Sequence, residues 1–325
     1  MKWALRLAPF LCFLAFYALD HGVNARGGKG GISGVCGPHA APTAAAAAGL
    51  NCETFWDGPF AATTIDVNDT GNVGPYKWYT HNAFPQWPGG SGTINSPNCA
   101  TCIWNMSVAL PTPPGDYSFS SGNIVISPVN SGNYGGMPIM LSTIRSQPAS
   151  PTGYVGQTFK YPLYVEFVVP SAGITGGNEP DAIIWMIPTS FLMAGVGNSY
   201  HFPEIDICEF AYGCSFIHDW AGAGAGTAST DNQSGLPTAS YSGSSTRLGF
   251  LFQPGSQKYY QNDVLQGTMT WSAGGGVSPA ATPNNPAGTF QAGDSMNFGL
   301  FMGAGRAADG KSLTVQQIRV WQPSL

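Results

Sequence analysis

Short apolar and β-branched runs, broken every few positions by Gly, Pro, Ser or Asn, recur along the chain. Tyr164 to Val169 (YVEFVV) is β-branched and aromatic with partial alternation, Ala182 to Ile187 (AIIWMI) is continuously apolar, and Leu313 to Trp321 (LTVQQIRVW) alternates towards its end. A period of two sends successive side chains to opposite faces of a strand, and a short uninterrupted apolar run fits a strand buried on both faces. No 3.6-residue periodicity is sustained over a helical length beyond the first residues. The pattern predicts an all-β chain built as two packed antiparallel sheets.

The first residues read differently. The start carries Lys2 and Arg6, with an apolar stretch from Leu5 to Leu19 interrupted only by Arg6 and Pro9 and followed by Val23-Asn24-Ala25, which predicts a signal peptide over 1–25; an uncleaved anchor is the alternative, although the stretch is short for a bilayer span. Residues 26–50, with the run Ala44 to Ala48, are expected as a flexible Gly/Ala-rich lead-in, and 51–325 as a single domain. The segments 221–240 and 273–289 are small, polar and turn-rich, and either could overhang a site.

Composition narrows the function classes. Only 9% of the 325 residues are charged while 43% are hydrophobic, so a large core is available and the chain is not of disordered composition. The net charge of -5 is spread without a basic run, which excludes nucleic acid and anionic membranes as expected partners and favours a neutral one. Cys12 falls in the signal, leaving six cysteines for which local pairs 36–52, 99–102 and 208–214 are the economical expectation among fifteen connectivities. A zinc site at Cys99–Cys102 lacks a second ligand pair at the right spacing. These features predict a protein that is secreted, extracellular or periplasmic.

The sharpest chemistry lies in His201-Phe202-Pro203-Glu204-Ile205-Asp206-Ile207-Cys208-Glu209-Phe210, where three of the chain's 17 acids fall within six residues. In a strand, Glu204 and Asp206 share one face and Ile205 and Ile207 the other, and unbroken alternation would place Glu209 among the isoleucines. Burying an unpaired carboxylate there is costly, so one inserted residue at Ile207-Cys208 is expected to bulge and return Glu209 to the acidic face. Like charges on one face repel and raise at least one pKa, which a purely structural strand has no use for. Retaining glycoside hydrolysis uses this arrangement, with one ionised carboxylate attacking the anomeric carbon and another, protonated, donating to the leaving oxygen. A calcium site or a solvated edge strand is the competing reading of the acids alone.

Glu204-Ile205-Asp206-Ile207-Cys208-Glu209 resembles the E-[ILV]-D-[IVAF]-x-E signature of glycoside hydrolase family sixteen, in the bulged form similar to laminarinases and agarases. Softer similarities follow in chain order: Phe159 to Phe167, Ala182 to Pro188, Arg247 to Pro254 with Lys258 to Asp263, and Val315 to Trp321. Pro162, Val168, Phe252 and Pro180-Asp181 depart from the family's usual residues. The resemblance implies a concanavalin-like β-jelly-roll sandwich, with Glu204 as nucleophile, Asp206 as assisting acid and Glu209 as general acid/base. It implies a secreted, monomeric endo-acting enzyme on a β-linked polysaccharide, beta-1,3-glucan first, with no cofactor and no metal in the chemistry; a structural calcium is not readable.

Trp185 matches a family position that floors the cleft, the alternative being a core tryptophan. His201 and His218 flank the motif and could reach a carboxylate or a sugar hydroxyl, or be ordinary surface histidines. Trp87, Trp104, Tyr134 and Trp220 carry no spacing that separates groove from core. Cys208 is expected to face away from the cleft. No G-x-S-x-G, H-E-x-x-H or phosphate-binding glycine loop is present. A transglycosylase using the same acids, or a non-catalytic carbohydrate-binding or cell-wall jelly roll, is the rival reading. Asn68, Asn105 and Asn232 lie in N-x-[ST] sequons.

Overall fold

In the computed structural model, the described residues are 36–66, 76–79, 117–126, 139–146, 154–170, 174–175, 183–189, 202–209, 213–220, 229–230, 244–270, 297–304 and 312–324. They are nearly all β and form a jelly-roll sandwich. A back sheet of six antiparallel strands runs in the order Cys52–Asp57, Gln317–Gln322, Leu163–Pro170, Ser245–Gln253, Ser256–Gln261, Val264–Thr270. A front sheet of nine strands runs from Ser229–Thr230 through Gly213–Trp220, Phe202–Glu209, Ile183–Pro188, Asn297–Ala304, Ile139–Ser142 and Trp78–Tyr79 to Ile65–Asp66, with Phe159–Lys160 joining Asn297–Ala304. The last two strands of the path, Trp78–Tyr79 and Ile65–Asp66, pair in parallel. A smaller four-stranded sheet and a hairpin of Ile144–Ser146 with Tyr154–Gly156 complete the described elements.

The core between the sheets follows from strand alternation. Leu163, Val165, Phe167 and Val169 of the back sheet and Ile184, Met186, Ile205, Phe298, Leu300 and Met302 of the front sheet belong to one buried apolar cluster. Aromatic rings bridge its layers. Tyr161 stacks on Phe252 of the back sheet at 5.5 Å and on Phe298 of the front sheet at 5.6 Å. Phe250 lies parallel between Phe167 and Tyr259, at 5.5 and 5.0 Å. Such contacts add to the area buried by each ring.

The predicted strand at 164–169 lies within Leu163–Pro170, and residues 183–187 of the run 182–187 lie within Ile183–Pro188, position 182 being outside the described residues. The run from Leu313 to Trp321 is two strands rather than one. Ser312–Val315 pairs with Asn123–Ile126 in the four-stranded sheet, whereas Gln317–Gln322 enters the back sheet. At the crossing, exposed Gln316 donates its backbone N–H to Val168 O at 2.8 Å. The lead-in also differs from expectation. From Cys36 onward it is tied down, with a short helix Thr43–Ala47 and buried Ala45 and Leu50 packed on Tyr164, Leu251 and Trp321 of the back sheet. Cys36 and Cys52 are disulfide-bonded, as spacing suggested. Cys99, Cys102, residues 1–25 and the three sequons lie outside the described residues.

Candidate active site

The strand Phe202–Glu209 lies between Ile183–Pro188 and Gly213–Trp220. Against Ile183–Pro188, Trp185 pairs with Asp206 and Ile184 with Cys208, so Ile207 is one residue too many for its neighbour. That is the expected bulge. Burial confirms its effect on the pleat: Ile205, Ile207 and Cys208 all belong to the core cluster, so two consecutive residues face inward after Asp206. Cys208 thereby takes the inward place that an unbroken alternation would have assigned to Glu209. The register on the other side is uninterrupted in phase, with Glu204 opposite His218, Asp206 opposite Phe216, Cys208 opposite Cys214 and Glu209 opposite Gly213. Cys208 is disulfide-bonded and fully buried, which removes it as a free thiol.

Asp206 lies on the face away from the core, since Ile205 and Ile207 on either side point into it. The same argument places Trp185, between core residues Ile184 and Met186, on the Asp206 face. Trp185 is therefore not a residue of the inter-sheet core. It sits directly across from Asp206 in the register and meets Phe301 edge-on at 5.8 Å between centroids. Direct cross-strand pairing extends this row from Asp206 through Trp185, Phe301 and Ser142 to Tyr79 and Asp66. All are buried. Burial chiefly, with the Asp66 carboxylate and Tyr76 adding to it, pushes the Tyr79 hydroxyl up to about 12, which keeps it a neutral donor. At roughly 4.8 Å per strand, Asp66 is about 24 Å from Asp206 and takes no part in the same chemistry.

The far part of this face is closed by the chain itself. Phe298, Leu300 and Met302 point into the core, so Gly299 lies on the Asp206 face, and a Cβ there would come within 2.7 Å of the Ile144 side chain. Gly156 of the neighbouring hairpin, at φ 103°, lies against the Tyr79 ring. Thr143 pins this corner, accepting from Leu300 N at 3.1 Å and donating to Gln157 O at 2.8 Å through its hydroxyl.

Of the sequence-predicted residues, the described backbone brings Glu204, Asp206, Glu209, Trp185 and His218 onto adjacent positions of three neighbouring strands. His201 lies outside the described residues, as do Trp87, Trp104 and Tyr134. Trp220 ends its strand opposite Phe202. Phe301 was not singled out from sequence. It sits in the apolar run Phe298-Gly299-Leu300-Phe301-Met302, where only glycines at 299 and 303, in phase with it, mark its face. Among the described residues no group of three or more His, Cys, Asp or Glu is disposed to hold a metal ion, and no helix is long and apolar enough to cross a membrane.

The sequence matches no known protein-family profile and no curated protein. Solved structures do resemble it. An endo-1,3-beta-glucanase from Streptomyces sioyaensis aligns with a TM-score of 0.49 and 14% identity over 89% of this chain and 100% of its own. A GlcNAcα1-4Gal releasing endo-β-galactosidase from Clostridium perfringens gives 0.46 and 15% over 82% of this chain, which spans only 65% of that protein. The LamAcat structure from Zobellia galactanivorans gives 0.45 and 14%, over 85% and 99%. At these identities the likeness concerns fold alone.

Proposed function

We propose that this chain is a secreted, retaining endo-glycoside hydrolase of a β-linked polysaccharide, with beta-1,3-glucan as the first substrate to test. The observation that carries the reading is the bulge at Ile207, because it gives an acid-rich strand a change of phase that fits three carboxylates on the Asp206 face. Glu204 would attack the anomeric carbon, forming a glycosyl ester as the glycosidic C–O bond breaks. Glu209 would give its proton to the departing oxygen, then take one from the water that cleaves the ester. The leaving sugar carries away the first proton and water restores it, so the enzyme returns to its starting state. Asp206, buried between its two neighbours in sequence, would hold the Glu204 carboxylate in line. Trp185 beside it supplies an apolar surface for the sugar ring's C–H face.

Reducing-end release should be measured on laminarin, lichenan, agarose, carrageenan and xyloglucan, with the anomeric configuration of the first product followed by NMR. Cleavage with retained β configuration is expected for laminarin. Inverted product would remove the covalent mechanism, and inactivity on all five would favour a binding protein.

A further inference from the structure

We infer that residues Cys36 to Leu50 form an oxidation-locked clasp on the back sheet, seated by the Cys36–Cys52 disulfide and released as a unit when that bond is reduced. The back sheet's outward face carries Tyr164, Leu251 and Trp321, whose rings and methyls would otherwise meet water. Instead they are 1%, 3% and 0% exposed, because Ala45 and Leu50 are buried against them and Ala41, Ala44 and Ala48 pack alongside. Small residues suit this cover, since the large rings already fill the volume. The helix Thr43–Ala47 has only five residues and no side-chain cap, so it has little stability of its own and depends on the surface beneath it.

The clasp is held mainly at its start. Cys36 is exposed, Cys52 is buried, and the bond between them closes a loop with a sequence separation of 16. Gly37 donates its N–H to Glu53 O at 2.8 Å. A side chain at Gly37 would drive into the Glu53 carboxylate and the Trp56 ring, so the strand and clasp are in intimate contact there. His39 then grips Glu53 twice, its backbone N–H donating to Oε2 at 3.1 Å and its Nδ1 lying 2.8 Å from both carboxylate oxygens. The Glu53 side chain is fully buried, and Arg319 also stands beside it, with Nε at 3.9 Å. His39 also stands edge-on to Trp56 at 6.5 Å.

Reduction is chemically open at one end. A thiolate of an external dithiol attacks Sγ of Cys36, the exposed residue of the pair, and Cys52 leaves as a thiolate and takes up a proton. The reductant's second thiol then closes its own disulfide and frees Cys36 as a thiol, two electrons and two protons passing to the protein. In the chain-entropy account, freeing a loop of this size raises the population of opened clasp by on the order of a hundredfold. Cys208, also disulfide-bonded, is itself fully buried, so attack on its sulfur is slower.

The test is hydrogen exchange by mass spectrometry on the full chain, before and after mild reduction, and on Cys36→Ser. Amides of Ala46, Ala48, Gly49 and Leu50 are hydrogen-bonded within the clasp. Their exchange should quicken on the order of a hundredfold on reduction and in Cys36→Ser. Peptides from Leu163–Pro170 should stay protected, and reoxidation should restore the clasp. His39→Ala, with the disulfide intact, should loosen it less. Unchanged exchange in the clasp after verified loss of the bond would overturn the inference. So would collapse of protection across the whole back sheet, since the clasp would then not be a separable unit. Should Cys36→Ser fail to accumulate, reduction and reoxidation of the folded wild type decide alone.

Discussion

Asp57 fastens the end of the back sheet's first strand to the edge of the front sheet, and replacing it with Asn gives a stability loss that can be worked out from its contacts. It is 2% exposed; its Oδ2 accepts from Trp78 Nε1 at 2.7 Å and Thr64 Oγ1 at 3.1 Å, and its Oδ1 accepts from Gly58 N at 3.1 Å. Lys77 Nζ lies 3.7 Å from Oδ1. An Asn that keeps its oxygen towards Trp78 and Thr64 must aim its NH2 at the Gly58 N–H and the Lys77 ammonium. One lost buried acceptor with donors left facing donors costs about 2 kcal/mol. For a domain of this size that lowers Tm by about 4–8 °C. Burial, the dominant influence, raises the Asp57 pKa, against the lowering effects of Lys77, Trp78, Thr64 and Gly58. The unfolded chain therefore ionises first as pH rises. Wild type loses this group's contribution through the acidic range, Asp57→Asn does not, and the variant's deficit should be larger at pH 4 than at pH 7. Thermal melts at both pH values test this. A Tm within a degree of wild type, or a deficit that widens with pH, would refute the reasoning.

Glu166 is likewise raised by burial, partly offset by Arg319 and Arg247 and reinforced by Asp263 and Glu53, so Glu166→Gln should gain stability relative to wild type between pH 4 and pH 7, read from paired melts. Deleting Ile207 should leave Cys208 inward and Glu209 on the Asp206 face, keeping measurable polysaccharide cleavage at lower stability; inserting Ala after Ile207 should cut it at least about a thousandfold by turning the acid towards the core. Trp185→Phe, which keeps the edge contact with Phe301 but narrows the platform, should raise KM several-fold more than it lowers kcat in laminarin assays.

The bulge was legible because a carboxylate cannot be left among isoleucines, so acid spacing alone betrayed the irregularity at Ile207. The strands around Val165 and Ile184 were legible because short runs rich in β-branched and aromatic residues, bounded by turn formers, favour strands over helices. The clasp was not. Its Ala and Gly composition looks like a linker, and its order arises from a disulfide and from aromatic rings on Tyr164 and Trp321, more than a hundred residues away in sequence. The crossing at Gln316 showed in the sequence only as two adjacent polar residues, Gln316 and Gln317, that slip the alternation by one position, too short a signal to mark a change of sheet. Phe301 was hidden by apolar neighbours on both faces.

The rate of reducing-end release from laminarin by Glu204→Gln, compared with wild type at equal folded concentration, tests the catalytic reading most directly. Loss of the nucleophile should lower kcat/KM at least about a thousandfold while the melting curve stays close to wild type. Cleavage at the wild-type rate would contradict the assignment of the bulged strand as the catalytic element.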